Sequence, residues 1–277
     1  MIPVALCADD YALSPGIDEA ILALAQAGRI TAFSCMTASK RWPQSAAALK
    51  PLLGRVEVGL HFTLTQLSPL GPVPRLAPEG RFPTMDRIYA QALLRAIDTA
   101  EIGAELARQL AAFREATGRE PDFLDGHHHV HQLRGVREAV VRQWAGKPGW
   151  VRNTATSLSA IRSRAVAVPR AWVIAQFGRA ARRTWQAAGI ATNADFAGVR
   201  SFAEVESYQS LMRGFLKGAT PGLLVMCHPG RPDEELAKID HVLAPRAEEF
   251  AYLAGGDFPA DLAAAGCTLI KLSLARR

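Results

Sequence analysis

At 277 residues, 49% of them hydrophobic, the chain is long enough to bury one large core as a single α/β domain. No apolar run reaches the eighteen or so residues of a membrane-spanning helix, and residues 1–10 lack the basic and apolar regions of a signal peptide, so the cytoplasm is the expected location. The net charge of +6 is local: residues 139–194 hold nine Arg or Lys and no acid, leaving 23 basic against 26 acidic residues elsewhere, which points to a local anionic ligand group or surface.

In chain order, strand-like and helix-like segments alternate, the pattern of a mostly parallel sheet covered by helices. Residues 4–8 are a short apolar run suited to a buried strand. Ser14 and Pro15 supply a helix N-cap and first-turn proline, Ile17, Ile21 and Leu24 recur at helical spacing, and Gly28 marks the stop. Residues 30–36 read as a second strand, 44–53 as a helix, and 56–60 as a third strand running into His61. Between Ser68 and Pro83, five prolines and two glycines predict an irregular excursion that borders a site. Ile102, Leu106, Leu110 and Phe113 mark a helix ending at Gly118. Residues 123–124 form a short strand before a histidine cluster, 136–144 are helical, and 149–151 are strand-like. In the acid-free stretch, Trp172, Val173, Ile174 and Phe177 with Arg179, Arg182 and Arg183 form an amphipathic lid or partner segment, which Pro169 and Gly178 are expected to interrupt. A helix near 203–217, a buried strand at 223–227 running into His228, and a last strand at 268–274 complete the series. Cys7, Cys35, Cys227 and Cys267 sit singly in apolar runs and read as reduced, buried hydrophobes.

One regularity outweighs any single assignment: the polar residues of interest follow the strands. Asp9 and Asp10 follow the first, His61 the third, Asp125 to His131 the next, Arg152 another, and His228 the one ending at Cys227. In a (β/α) barrel the carboxyl ends of the strands meet at one rim, so these residues are expected to share a site.

Two adjacent carboxylates at the end of an apolar strand are costly unless a cation compensates them, and a metal is the simplest compensation. One carboxylate then binds the metal while the other serves as general base for a water; capping of the next turn is the plain alternative. His127, His128, His129 and His131 place four of the seven histidines within five residues. An extended segment would put His127, His129 and His131 on one face, a helical one His127 and His131, and spacing alone does not choose between them. Asp125 is a natural acceptor for a ligand imidazole. His61 gains weight as a ligand from its position after a strand, and His228, before Pro229 and Gly230, is suited to protonate a leaving amine or simply to brace a turn. No phosphate-binding loop, dinucleotide fingerprint or Gly-x-Ser-x-Gly elbow is present, which leaves metal-assisted hydrolysis in front.

With these residues in view, the chain resembles the YdjC or ChbG/HpnK family of carbohydrate deacetylases. Ala8-Asp9-Asp10-Tyr11 resembles the family's N-A-D-D-F-G, Gly59-Leu60-His61 its G-x-H, Asp125 to His131 its D-S-H-x-H-V-H, and Met226 to Gly230 its M-C-H-P-G. The resemblance implies an α/β fold, a distorted TIM-like (β/α) barrel in one domain, with 153–195 as a basic lid or insertion. It implies that Asp10, His61 and His127 bind one divalent ion, Mg²⁺ or Zn²⁺, with Mn²⁺ or Co²⁺ possible. Asp9 is then the base and His228 the group that assists departure of the amine, while Asp125, His129, His131 and Arg152 support the ligands or the substrate. The implied substrate is an N-acetylated sugar, with His128 and Val130 closer to the branch acting on chitin-type oligosaccharides than to the one acting on a glycosylated lipid. Cys7 in place of Asn, Tyr11-Ala12 in place of Phe-Gly, and Gly126 in place of Ser depart from the family pattern. No nucleic-acid partner and no transmembrane segment are expected, and a homodimer is possible. The rival readings are a metal-dependent phosphoesterase and a non-catalytic binder of an anionic surface through 139–194.

Overall fold

The computed structural model describes residues 1–201, 206–240 and 242–275. Its first strand, β1 (Ile2–Tyr11), is almost wholly buried because its apolar run is covered on both faces. Ser14 caps the following helix, α1 (Pro15–Gln26), its hydroxyl accepting from the Ile17 amide, and Pro15 opens the first turn as the sequence predicts. The chain continues through β2 (Ala32–Cys35), α2 (Trp42–Ala47), β3 (Glu57–Phe62), α3 (Met85–Leu93), α4 (Thr99–Thr117) and β4 (Phe123–Gly126). A 3₁₀ turn (His127–Gln132), α5 (Val136–Trp144), β5 (Trp150–Val151), α6 (Leu158–Arg164), α7 (Val168–Ala187) and β6 (Asp195–Ala197) follow. The series ends with α8 (Tyr208–Leu216), β7 (Leu223–Cys227), α9 (Glu234–Ile239), α10 (Ala244–Ala254), α11 (Asp257–Ala264), β8 (Cys267–Leu269) and α12 (Leu272–Ala275).

All recorded pairings are parallel, in the order β5-β4-β3-β2-β1-β7-β6, with β8 alongside the start of β1. Between the end strands there is no ladder among the described residues; a bridge between Val151 and Thr192, with the Val151 amide donating to Ala191 O at 2.8 Å, and the Asn193 side chain bonded to the Asn153 backbone join the two ends. The result is the distorted, incompletely closed (β/α) barrel expected. The period-2 alternation of β1 sorts its side chains. Val4, Leu6 and Ala8 pack with Ile17, Ile21 and Leu24 of α1, while Ala5 and Cys7 join Phe123, Trp150 and Leu224 in the apolar filling on the other face, where Asp9 also lies. Gly59 is required by this filling, since a Cβ there would fall 2.5 Å from the Phe123 ring, itself stacked on Trp150.

Several expectations are corrected. The last strand stops at Leu269 rather than at 274, because the buried carboxylate of Glu57 accepts from the amides of Leu272 and Ser273 and so starts α12 there. Neither Pro169 nor Gly178 interrupts α7. Pro169 occupies its first turn, where no amide is needed, and Gly178 lets the helix lie against the backbone of Thr154 and Ala155. The proline-rich loop is irregular as expected, but α3 directly after it escaped the sequence reading. The helix near 203–217 is seen as α8; residues 202–205 lie outside the described residues. Among the described residues, no helix is long and apolar enough to cross a membrane.

Candidate active site and metal centre

Every predicted site residue except His131 reaches or flanks one cavity of about 680 Å³ at the carboxyl ends of β1, β3, β4 and β7. Asp9, Asp10, His61, His127, His129 and His228 line it, and His128 lines it as well. Asp125 and Arg152 lie fully buried behind the wall.

Asp9 and Asp10 diverge because Asp10 takes a left-handed backbone (φ 72°), an uncommon conformation for a residue with a Cβ. Asp10 Oδ1 lies 3.3 Å from His61 Nε2 and 3.0 Å from His127 Nδ1, and its Oδ2 accepts from Arg246 Nη2 at 2.7 Å. Asp9 turns to Arg152, which donates from Nη1 to Oδ2 at 2.6 Å and from Nη2 to Oδ1 at 2.5 Å. Arg152 Nη2 also reaches Asp125 Oδ2 at 2.5 Å and donates to Cys7 Sγ at 3.1 Å. His228 Nε2 stands 3.9 Å from Asp9 Oδ2, and its backbone amide is anchored to Glu249.

The two imidazoles are oriented from behind. His61 Nδ1 is 2.7 Å from Asp125 Oδ1 and 2.9 Å from Ser34 Oγ, so its Nδ1–H is drawn to Asp125 and Nε2 is left facing Asp10. His127 Nε2 is 2.7 Å from Gln66 Oε1, which draws its N–H and leaves Nδ1 facing the same carboxylate oxygen. Two ring nitrogens and a carboxylate oxygen thus converge on one point, which imidazole protons bridge in the absence of an ion and a cation can bridge in their place. The three atoms lie within 4.8 Å of one another, and the 3.0 and 3.3 Å edges approximate those of a tetrahedron with about 2.1 Å arms, roughly 3.4 Å. Donor chemistry and spacing therefore fit one divalent ion.

Electrostatics tell the same story. Burial alone would raise the Asp10 carboxyl, but Arg246 and His127 outweigh it and hold it well below the usual carboxylate range. Burial would lower His61, yet Asp125 and Asp10 push it up to about 10. Positive charge is thus demanded at the point where the ligand atoms converge.

The histidine cluster is neither extended nor helical, so both face assignments drawn from its spacing are corrected. His128 and His129 have left-handed backbones (φ 52° and 56°), which breaks either period. His127 faces Asp10. His131 points the opposite way, stacked on Trp185, with Nε2–H donating to the Arg152 carbonyl at 3.0 Å. It lines no part of the cavity and belongs to no ligand cluster; its polar contact is with the Arg152 backbone. His128 Nδ1 is 2.9 Å from Thr65 Oγ1, and His129 meets Phe196 edge-on at 5.9 Å. Burial holds His129 well below its ordinary value and brings His128 down to about 2, so both stay neutral.

Sequence reasoning missed Gln66, Ser34, Arg246 and Tyr89. Arg246 lies on α10 in no recognisable motif, braced by Asp240 at 2.8 Å. Tyr89, on the unpredicted α3, donates to His128 O at 2.8 Å and meets Phe177 of α7 edge-on, joining the two helices that wall the cavity.

A sequence profile of the family described as YdjC-like protein matches residues 3–264. A chitooligosaccharide deacetylase from Klebsiella pneumoniae strain 342 is 30% identical over 229 residues, covering 83% of this chain and 82% of that one. With a chitooligosaccharide deacetylase from Enterobacter sp. strain 638 the identity is 33% over 142 residues, 51% of this chain, and the match spans about half of that relative (55%). A solved structure of a candidate cellobiose-phosphate cleavage protein from Enterococcus faecalis V583 superposes with a TM-score of 0.74 at 19% identity, covering 99% of this chain and 98% of that one. That likeness bears on the fold.

Proposed function

The chain belongs to the YdjC-like protein family, and from that premise we propose that it is a metal-dependent carbohydrate deacetylase removing the acetyl group of an N-acetylated sugar. The observation that carries the reading is the convergence of Asp10 Oδ1, His61 Nε2 and His127 Nδ1 beside a second carboxylate, Asp9, that takes no part in it. The deacetylase names of the sequence relatives supply the reaction class.

A divalent ion held by Asp10, His61 and His127 would supply a Lewis-acid charge to the acetyl oxygen and to the attacking water. Asp9, fixed by two guanidinium nitrogens, is assigned to take the proton from that water. His228, partly exposed on the cavity wall and 3.9 Å from Asp9, is assigned to protonate the departing amine. Asp125 orients His61 and at the same time shares Arg152 with Asp9, so one buried group links ligand and base. Two imidazoles and one carboxylate suit Zn²⁺ best, with Mn²⁺, Co²⁺ and Mg²⁺ as the other choices.

The cavity wall supports a sugar-sized ligand. Tyr89, Leu93 and Val173 offer apolar contact for ring faces, and Arg170, Arg200 and Asp240 offer partners for hydroxyl edges. We assign 153–195 to this wall through the first turns of α7, which serves as the lid. The two arginines that enter the ligand network are matched by Asp9 and Asp10, which favours the deacetylase reading over a phosphoesterase there.

The test is an acetate-release screen over N-acetylglucosamine, chitobiose, longer oligomers and acetylated glycolipids, with and without added divalent ions. Acetate appearing with an equal amount of free amine, and only with the ion, is the expected result. Phosphate release from phosphoesters without acetate release would overturn it.

A further inference from the structure

The nine basic residues of 139–194 do not act as one patch. Arg152 is buried in the site described above, Arg164 pairs with Asp195, Lys147 pairs with Glu120, and Arg170 lines the catalytic cavity. Arg179, Arg182 and Arg183 instead gather on one face of α7, at i, i+3 and i+4, where three like charges repel. They line a second cleft of about 770 Å³, joined by Lys217 after α8 and by the hydroxyls of Thr156, Ser157 and Ser163. Arg182 is twelve residues along α7 from Arg170, roughly 18 Å by helical rise, so the two cavities are separate.

The cleft is short of negative charge. Among the described residues Asp195 is the one acid that lines it, and its two oxygens are engaged by Arg164 and the Phe196 amide. Arg179 and Arg182 are held by neutral partners: Arg179 donates to Thr156 O at 2.8 Å, and Arg182 to Ala194 O at 2.7 Å and Asn193 O at 3.2 Å. The Nε of Arg182 is buried with no hydrogen-bond partner. Arg183 and Lys217 are exposed and have no ion-pair partner among the described residues. Asp195 acts on Arg182 through space, but neither Arg179 nor Arg182 has a direct ion pair among the described residues; carbonyls that fix two guanidiniums in this way build a preorganised anion receptor, and planar forks beside hydroxyls suit a tetrahedral oxyanion.

We propose that the cleft between α6, α7 and the loop after α8 is a binding site for a small phosphate-bearing molecule, separate from the deacetylase centre. Its volume holds more than bare phosphate, so the class is a phosphomonoester of a small organic molecule, with inorganic phosphate as the minimal ligand. The proposal stands apart from the deacetylase reading, because none of its residues belongs to the metal site.

The test titrates the full chain, treated with chelator, with inorganic phosphate and with glucosamine 6-phosphate at low ionic strength by calorimetry. One saturable site with Kd on the order of 1 mM or tighter, weakening as salt rises, is expected. Arg183→Gln combined with Lys217→Gln should weaken it at least tenfold while leaving the urea midpoint unchanged, since both side chains are exposed. His61→Ala should leave it intact, which separates this site from the metal centre. Absence of saturation, equal binding by the double variant, loss of binding in His61→Ala, or binding of phosphatidylglycerol vesicles without binding of soluble phosphate would overturn the proposal.

Discussion

Asp9 and Asp10 are consecutive in β1 yet serve two different cations: Arg152 grips Asp9 with both terminal nitrogens, while Arg246 reaches Asp10 from the opposite end of the chain. The left-handed backbone at Asp10 makes the split, and it divides the labour of the proposed reaction. One carboxylate joins two imidazoles; the other is left to handle a proton.

Asp9→Asn separates the two duties. The Asp10–His61–His127 cluster does not include Asp9, and the second grouping, Cys7, Asp9 and Asp125, is already closed around Arg152, so metal content measured by emission spectrometry should match wild type, while kcat for acetate release falls by roughly 10² or more. Unchanged turnover would remove Asp9 from the base role.

Arg246→Met should cost the metal-free protein roughly 3–5 kcal/mol, because it leaves Asp10 and Asp240 without their buried counter-charge. Added Zn²⁺ should restore part of the loss by supplying charge at Asp10. Urea unfolding with and without the ion reads both effects, and a loss under about 1 kcal/mol with no rescue would contradict the network.

Gly178→Ala offers a change of opposite sign from helix propensity, which by itself favours alanine by about 1 kcal/mol. A Cβ there would stand 2.4 Å from Ala155 N and 2.6 Å from the Thr154 carbonyl carbon, so α7 must move away. The expected result is a loss of about 1–3 kcal/mol with a raised KM, since α7 walls the cavity. A stabilised variant with unchanged KM would show that the contact does not hold the helix.

His131 gives a pH signature away from the ligand cluster. Burial is the largest cause of its lowered value, about 3, with the nearby Arg152 charge adding to it against the bond to the Arg152 carbonyl. Its unfolded value is near 6.5, so the unfolded chain takes up a proton that the folded chain refuses. The contribution is fully present above pH 6.5 and is lost as pH falls toward 3, at about 1.4 kcal/mol per pH unit for this group. His131→Gln should flatten the slope of stability between pH 6 and 4 by roughly that amount; an unchanged slope would assign the acid sensitivity elsewhere.

Much of this was legible in the sequence where local chemistry decides. Ser14 and Pro15 set the start of α1, and the polar residues after β1, β3, β4 and β7 do meet at one rim. The choice among the clustered histidines was not legible, because two consecutive left-handed residues obey no periodic pattern. Arg246 and Gln66 escaped for a different reason: each reaches its partner across a long stretch of sequence, from an unremarkable helix and from a proline-rich loop. The continuity of α7 depended on a tertiary contact at Gly178, and the end of β8 on a carboxylate from β3.

Anomalous scattering at the zinc edge from crystals grown with Zn²⁺ tests the metal centre most directly. The expected result is a single strong peak about 2.0–2.2 Å from Asp10 Oδ1, His61 Nε2 and His127 Nδ1. A peak elsewhere, or none in crystals of enzyme that releases acetate, would contradict the account.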